Sequence, residues 1–166
     1  WAKSIGAKMI GTVSSDEKTL LAKKNGCEFT INYKKENVHS NVLKLTNNEG
    51  VGVVYDGVGK DTFDISLKCL KFRGLMVSFG QSSGMLSDIN LHSTFNPKSL
   101  YFTRPTLMHY IRNPKELEEC SNKLFLKIKN KEIKPNIFKK FKLSEADKAH
   151  QLIQSRNSVG SIILKP

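Results

Sequence analysis

The side chains with the most chemical promise stand in short polar clusters that follow apolar runs. Ser14-Ser15-Asp16-Glu17-Lys18 comes directly after the run 8–13 and joins two hydroxyls and an ammonium to a helix start. That set suits an anion, because hydroxyls and helix N–H groups bond phosphate oxygens and Lys18 adds positive charge. An ordinary helix cap beside a surface lysine would use the same residues. Tyr33 closes the next apolar run, where its ring can pack on a base, reach the same anion or fill a half-buried packing role. Asp56-Gly57-Val58-Gly59 and Ser78-Phe79-Gly80-Gln81-Ser82-Ser83-Gly84 end two further runs in glycines, which let backbone approach a bulky ligand. Gln81 and the backbone donors around it suit a carboxamide or a ribose.

Acid–base and nucleophilic chemistry find no comparable set. His39, His92, His109 and His150 are scattered, and no residue reads as a convincing general acid or base. Cys27, Cys69 and Cys120 lie far apart, with no CxxC and no His at ligand spacing, so no metal site is expected. They read as packed thiols in a reducing compartment.

Elements that end beside one another must carry these clusters. Over the first two thirds of the chain, 8–13 (KMIGTV), 27–33 (CEFTINY), 51–58 (VGVVYDGV), 74–80 (GLMVSFG) and 98–103 (KSLYFT) read as strands. Helical patterns fill 16–26, 37–45 and 61–70, the first capped by a serine and stopped at Gly26. The run 51–58 is apolar throughout, as a strand covered on both faces should be. Strands alternating with helices at this spacing predict an α/β fold: a doubly wound parallel sheet with helices on both faces. After Arg104-Pro105 the rhythm changes. A long amphipathic helix over 115–130 sets Leu117, Cys120, Leu124 and Ile128 on one face. The run 136–143, a helix from Ser144 and a last strand over 161–164 follow.

The 166 residues are 39% hydrophobic and 25% charged, enough for a real core, which excludes a disordered tail or a disulfide miniprotein. No apolar run approaches the roughly 20 residues a membrane helix needs, and no signal pattern is present, so a cytoplasmic protein is expected. The net charge is +12, but most of the excess is lysine spread over polar helix faces. Nucleic acid is therefore a secondary candidate partner, while small anions are drawn by the summed field.

In an open parallel sheet, ligands bind beyond the carboxyl ends of the strands. Where such a sheet holds a dinucleotide, the tip of its second strand faces the adenosine ribose. An acid there accepts from the 2′-hydroxyl and repels a 2′-phosphate, whereas the small neutral Ser14 leaves room for phosphate. Asp16 is the competing candidate as ribose acid, which would favour NAD. The glycine-rich turn that cradles the pyrophosphate normally follows the first strand, yet no G-x-G-x-x-G precedes residue 8. Residues 1–6 (WAKSIG) read as the tail of the helix after such a turn. The chain is thus expected to lack that first strand and loop, leaving 8–13 either paired directly with 51–57 or separated from it by a gap.

The stretches WAKSIGAKMIGTV, INYKKEN, VVYDGVGKDTFDISLKCLKFRGLMVSFGQSSG, SLYFTRPTL and SRNSVGSIILKP carry a family likeness in the right order and spacing. The sequence resembles the zeta-crystallin-like NADPH:quinone oxidoreductases of the medium-chain dehydrogenase/reductase superfamily, along essentially its whole length. The resemblance implies an incomplete Rossmann-like NADP-binding domain over 1–106. Residues 107–166 would be a segment returning to a GroES-like catalytic domain whose remainder is absent. It implies bound NADPH, hydride transfer to a quinone or another electron-poor enone, no metal, and a homodimer joined through the strand at 98–103. By position, the 2′-phosphate contacts fall on Ser14, Ser15, Lys18 and Tyr33. The nicotinamide-ribose side falls on Phe79, Gly80, Gln81 and Ser82, with Gly57 beside the cleft and Arg156 where the tail reaches the cofactor. The chain departs from many relatives at Gly57, where they carry serine, and at Gln81, where they carry asparagine. By itself, without the implied remainder, it is expected to be inactive. The same likeness keeps two alternatives open, an enone or alkenal reductase and single-stranded nucleic-acid binding.

Overall fold

The computed structural model describes residues 1–155 and 157–166. The chain forms two compact units, Lys8–Leu117 and, taken together, Trp1–Ala7 with Glu118–Pro166.

The larger unit alternates strands and helices: β1 (Ile10–Val13), α1 (Asp16–Lys24), β2 (Phe29–Asn32), α2 (Val38–Leu45), β3 (Val51–Asp56), α3 (Phe63–Cys69), β4 (Leu70–Ser78), α4 (Leu91–Phe95) and β5 (Tyr101–Thr103). Local signals start the helices where polar side chains can replace missing backbone partners. Ser15 caps α1 by accepting from the Lys18 N–H, and Asn37 caps α2 by accepting from the Ser40 N–H. Gly26, in the left-handed region at φ +98°, turns the chain out of α1.

All strand pairs in this unit are parallel, but they form two sheets: β1 with β2, and β3–β4–β5 with β4 in the middle. One apolar layer serves both. Ile31, Val42 and Cys69 are buried together, and Ile10 from β1 and Val51 and Val54 from β3 pack against them. A second cluster of Phe63, Leu67, Leu70 and Met76 lies with Phe95 and Leu100 against the three-stranded sheet. Among the described residues no ladder joins β1 to β3, so the direct pairing does not form.

The exposure of β3 corrects one expectation. The apolar run 51–58 is not covered on both faces: Val53 is 44% exposed and Tyr55 70%. β3 pairs on one side only, with β4, and Val53 and Tyr55, two residues apart and so on one face of the strand, are left uncovered. β4 also begins earlier than the pattern suggests, at the fully buried Leu70, with a register shift where β3 passes from Val51 to Val53. β5 is shorter than 98–103, because Asn96–Lys98 forms a 3₁₀ turn and Ser99 takes a left-handed conformation.

The smaller unit contains most of α5 (Pro114–Lys129), then β6 (Ile137–Lys142), α6 (Ala146–Gln154) and β7 (Ser161–Lys165). β6 and β7 run parallel, with Phe141 and Ala149 buried between strand and helix. Lys127 ties the first residues to α5: its ammonium donates to Ser4 Oγ (2.8 Å), pairs with Glu132 (2.7 Å) and lies 5.7 Å from the Trp1 ring centre. The expected apolar stripe of α5 is not buried, since Leu117, Cys120 and Leu124 are exposed and no residue of the helix is fully covered. The thiols differ accordingly. Cys69 is packed, Cys27 is half-buried with its Sγ 3.0 Å from the Phe29 carbonyl, and Cys120 is exposed, so the packed reading holds only in part. No described helix is long and apolar enough to cross a membrane.

Candidate functional site

The in-register pairing of β1 and β2 sets Val13 opposite Asn32, so both strands end at the same level. The Tyr33 N–H donates to the Val13 carbonyl at 3.1 Å, extending the ladder by one residue beyond the strands. Ser14, Ser15 and Tyr33 therefore stand at one end of this sheet, with Lys18 in the first turn of α1 behind them. Tyr33 is 53% exposed, which removes the half-buried packing role and leaves its ring available at the sheet end. Ser15 has two tasks in reach: its Oγ already accepts from the Lys18 N–H at 3.3 Å, and its hydroxyl proton is free to donate.

Asp16 points elsewhere. Its carboxylate accepts from Asn32 Nδ2 (3.1 Å) and forms an ion pair with Lys35 Nζ (2.6 Å). The Lys35 hydrogen bond first, and then the Asn32 amide, hold this carboxyl below the usual carboxylate range. Both of its oxygens are thus engaged by the turn after β2, against its candidacy as ribose acid.

A second cluster forms where β3 and β4 end side by side, with Asp56 opposite Ser78. Asp56 is 4% exposed, and its carboxylate accepts from the N–H groups of Val58 (2.8 Å) and Gly59 (3.0 Å) and from the hydroxyls of Thr62 and Ser66. Burial pushes its pKa up, but the donations from Gly59, Ser66, Thr62 and Val58 outweigh it and leave the carboxyl below the ordinary 3.8. This one side chain folds the Gly57–Val58–Gly59 turn back onto the start of α3. Gly57 and Gly80 then meet closely: a Cβ on Gly80 would lie 2.5 Å from the Gly57 carbonyl oxygen. The loop after β4 locks onto this turn through Ser82 N–H to Gly57 and Ser83 N–H to Val58. Phe79 is exposed with its ring over Gly57, and Ser78 Oγ is buried without a hydrogen-bond partner among the described residues.

Gln81 is held from the residue after β5: Arg104 Nη2 donates to its Oε1 at 2.6 Å, and its amide N–H groups have no acceptor among the described residues. Arg104 and the central part of Asp56 escaped the reading of the sequence. For Asp56 a signal existed, since an acid before Gly-x-Gly is the pattern of a side chain that bonds its own following backbone. For Arg104 none did, because only the pairing of β5 with β4 brings it to Gln81. The structure thus gathers Ser14, Ser15, Lys18 and Tyr33 in one group and Gly57, Phe79, Gly80, Gln81 and Ser82 in another. No hydrogen bond links the two groups among the described residues, and Arg156 lies outside those residues.

Residues 1–127 match the family described as zinc-binding dehydrogenase. The chain belongs to this family. Across all 166 residues it is 45% identical to the quinone oxidoreductase of Pseudomonas aeruginosa, covering 51% of that protein. It is 41% identical over its whole length to a 2-haloacrylate reductase of a Burkholderia species, covering 50% of it. A solved structure of Escherichia coli quinone oxidoreductase complexed with NADPH superposes at a TM-score of 0.95 with 46% identity, over 100% of this chain and 52% of that one. The chain therefore spans about half the length of the curated relatives it matches, and the resemblance drawn from its sequence is borne out. Its parallel α/β architecture is that of the Rossmann-like half of these dehydrogenases.

The family's name raises zinc, and this chain's side chains do not fit it. Among the described residues no three His, Cys, Asp or Glu side chains come together. Asp56 is surrounded by N–H and O–H donors, which repel a cation, and Cys27 is turned to backbone carbonyls. A nicotinamide nucleotide fits better. Hydroxyl and amide donors stand at the two strand ends, Ser15 at one and Gln81 at the other, and groups of this kind bond phosphate, ribose and carboxamide oxygens.

Proposed function

We propose that this chain is the coenzyme-binding half of an NADPH-dependent quinone reductase. The observation that carries the proposal is the joined end of β1 and β2, which collects Ser14, Ser15, Lys18 and Tyr33 while Lys35 pairs with the carboxylate of Asp16. The solved E. coli relative holds NADPH, which supports the same ligand here. In this reading Ser14 and Ser15 donate hydroxyl protons to the 2′-phosphate, Lys18 matches its charge and the Tyr33 ring lies against the adenosine. Gly57, Phe79, Gly80, Gln81 and Ser82 border the nicotinamide end, where the Gln81 amide orients the ribose or carboxamide. Bound NADPH supplies the hydride. The residues of this chain contribute binding and orientation, since none is placed as acid or base, and rate arises from holding coenzyme and acceptor face to face.

The domain assignment belongs to the same proposal: 1–106 as nucleotide domain and 107–166 as part of a catalytic domain. The acceptor pocket would be completed by the half that the relatives have and this chain does not span. A homodimer is supported by β5, an edge strand of the three-stranded sheet that carries exposed Tyr101 and Phe102. A cytoplasmic location is proposed with it.

The test is a pair of titrations in the full-length protein that carries this chain. Lys18→Ala is expected to weaken NADPH at least tenfold, the usual size for a lost charge-assisted contact, and NADH less than twofold. Equal losses for the two coenzymes would refute the phosphate site. One observation favours a second reading, reduction of an electron-poor alkene: the 41% identical relative named for 2-haloacrylate.

A further inference from the structure

Asp16 is the only acid other than Glu17 in the polar cluster after β1, and it stands next to Ser15 at the start of α1. A free carboxylate there would face any dianion held by that cluster. The turn after β2 prevents this by construction. Asn32, only 5% exposed, is fixed by Glu36, which accepts from its N–H (2.9 Å), and by its own Oδ1, which accepts from the Lys34 N–H (3.2 Å). So fixed, its Nδ2 draws the Asp16 carboxylate toward β2. Lys35, whose N–H donates to the Asn32 carbonyl (2.9 Å), then brings its ammonium to 2.6 Å from Asp16 Oδ2. Both charged side chains remain mostly exposed, so as a fold-stabilising contact the pair is worth little. Its consequence is electrostatic and local.

We infer that Lys35 is a specificity-determining residue: by neutralising Asp16 it keeps the β1–β2 end open to a coenzyme carrying a 2′-phosphate. This rests on the coenzyme reading above. Lys35 acts through Asp16 and need not touch the coenzyme, which separates it from Lys18, whose role there is direct.

Coenzyme titrations of the full-length protein test it. Lys35→Ala should weaken NADPH about fivefold at low salt and NADH less than twofold, the scale of water-screened repulsion between one carboxylate and a dianion a few ångströms away. The difference should shrink at 0.5 M salt. Asp16→Asn alone should bind NADPH at least as well as the parent, and Asp16→Asn with Lys35→Ala should recover the parental affinity. A double variant as weak as Lys35→Ala would overturn the inference, because Lys35 would then be holding the phosphate itself. So would equal losses for both coenzymes. If the Lys18→Ala loss stays specific to NADPH in that case, only Lys35's role fails. If Lys18→Ala is also indifferent to the phosphate, the coenzyme reading fails with it.

Discussion

Four donors converge on the buried carboxylate of Asp56, and the cost of disappointing them sets the behaviour of that residue. Its folded pKa lies below the ordinary 3.8, so it is ionised in both states above that value and its contribution to stability is complete there. As pH falls through the depressed folded value, the unfolded chain takes up the proton more readily, and that contribution is lost. Stability should therefore be flat in this respect above about pH 5 and decline on acidification below pH 4. Asp56→Asn turns an NH₂ group toward donors; chemical denaturation at pH 7 should read a loss of about 2 kcal/mol. The same variant should remove this part of the acid dependence. A variant as stable as the parent at pH 7 would show that the four contacts contribute nothing net.

At the scale of elements, sheet ends matter more than sheet bodies. β3 and β4 finish in register, and their extensions approach so closely that only glycine fits at 80. Gly80→Ala must push the loop after β4 off the Gly57 turn, at an expected cost of about 1–3 kcal/mol by thermal unfolding. Alanine tolerated there without loss would mean that the two tips have slack. The helices show the opposite balance. Cap residues Ser15, Asn37 and Asn90 start α1, α2 and α4 where short polar side chains mark them, whereas α5 has a clear apolar period and no buried side of its own. Periodicity tells which face a helix offers, but burial depends on what arrives to cover it.

For the whole molecule, the reaction depends on which acceptor is presented to the coenzyme. The quinone reading predicts that the full-length protein carrying this chain reduces a naphthoquinone with NADPH at a kcat/KM at least tenfold above that for a 2-haloacrylate, measured side by side. The reverse preference would select the alkene reading. Much of the architecture follows from local rules alone: alternating apolar runs and capped helices specify parallel βαβ units, and glycine or hydroxyl residues after the strands mark where a ligand can approach. Those signals lie within a few residues of one another, so chain order preserves them. What chain order hides is contact across the fold. The Arg104–Gln81 bond links the ends of two strands, the Asp16–Lys35 pair joins α1 to the turn after β2, and the exposed face of β3 depends on what covers it. Each is fixed by distances between segments far apart along the backbone, and hydrophobic spacing carries no information about those distances.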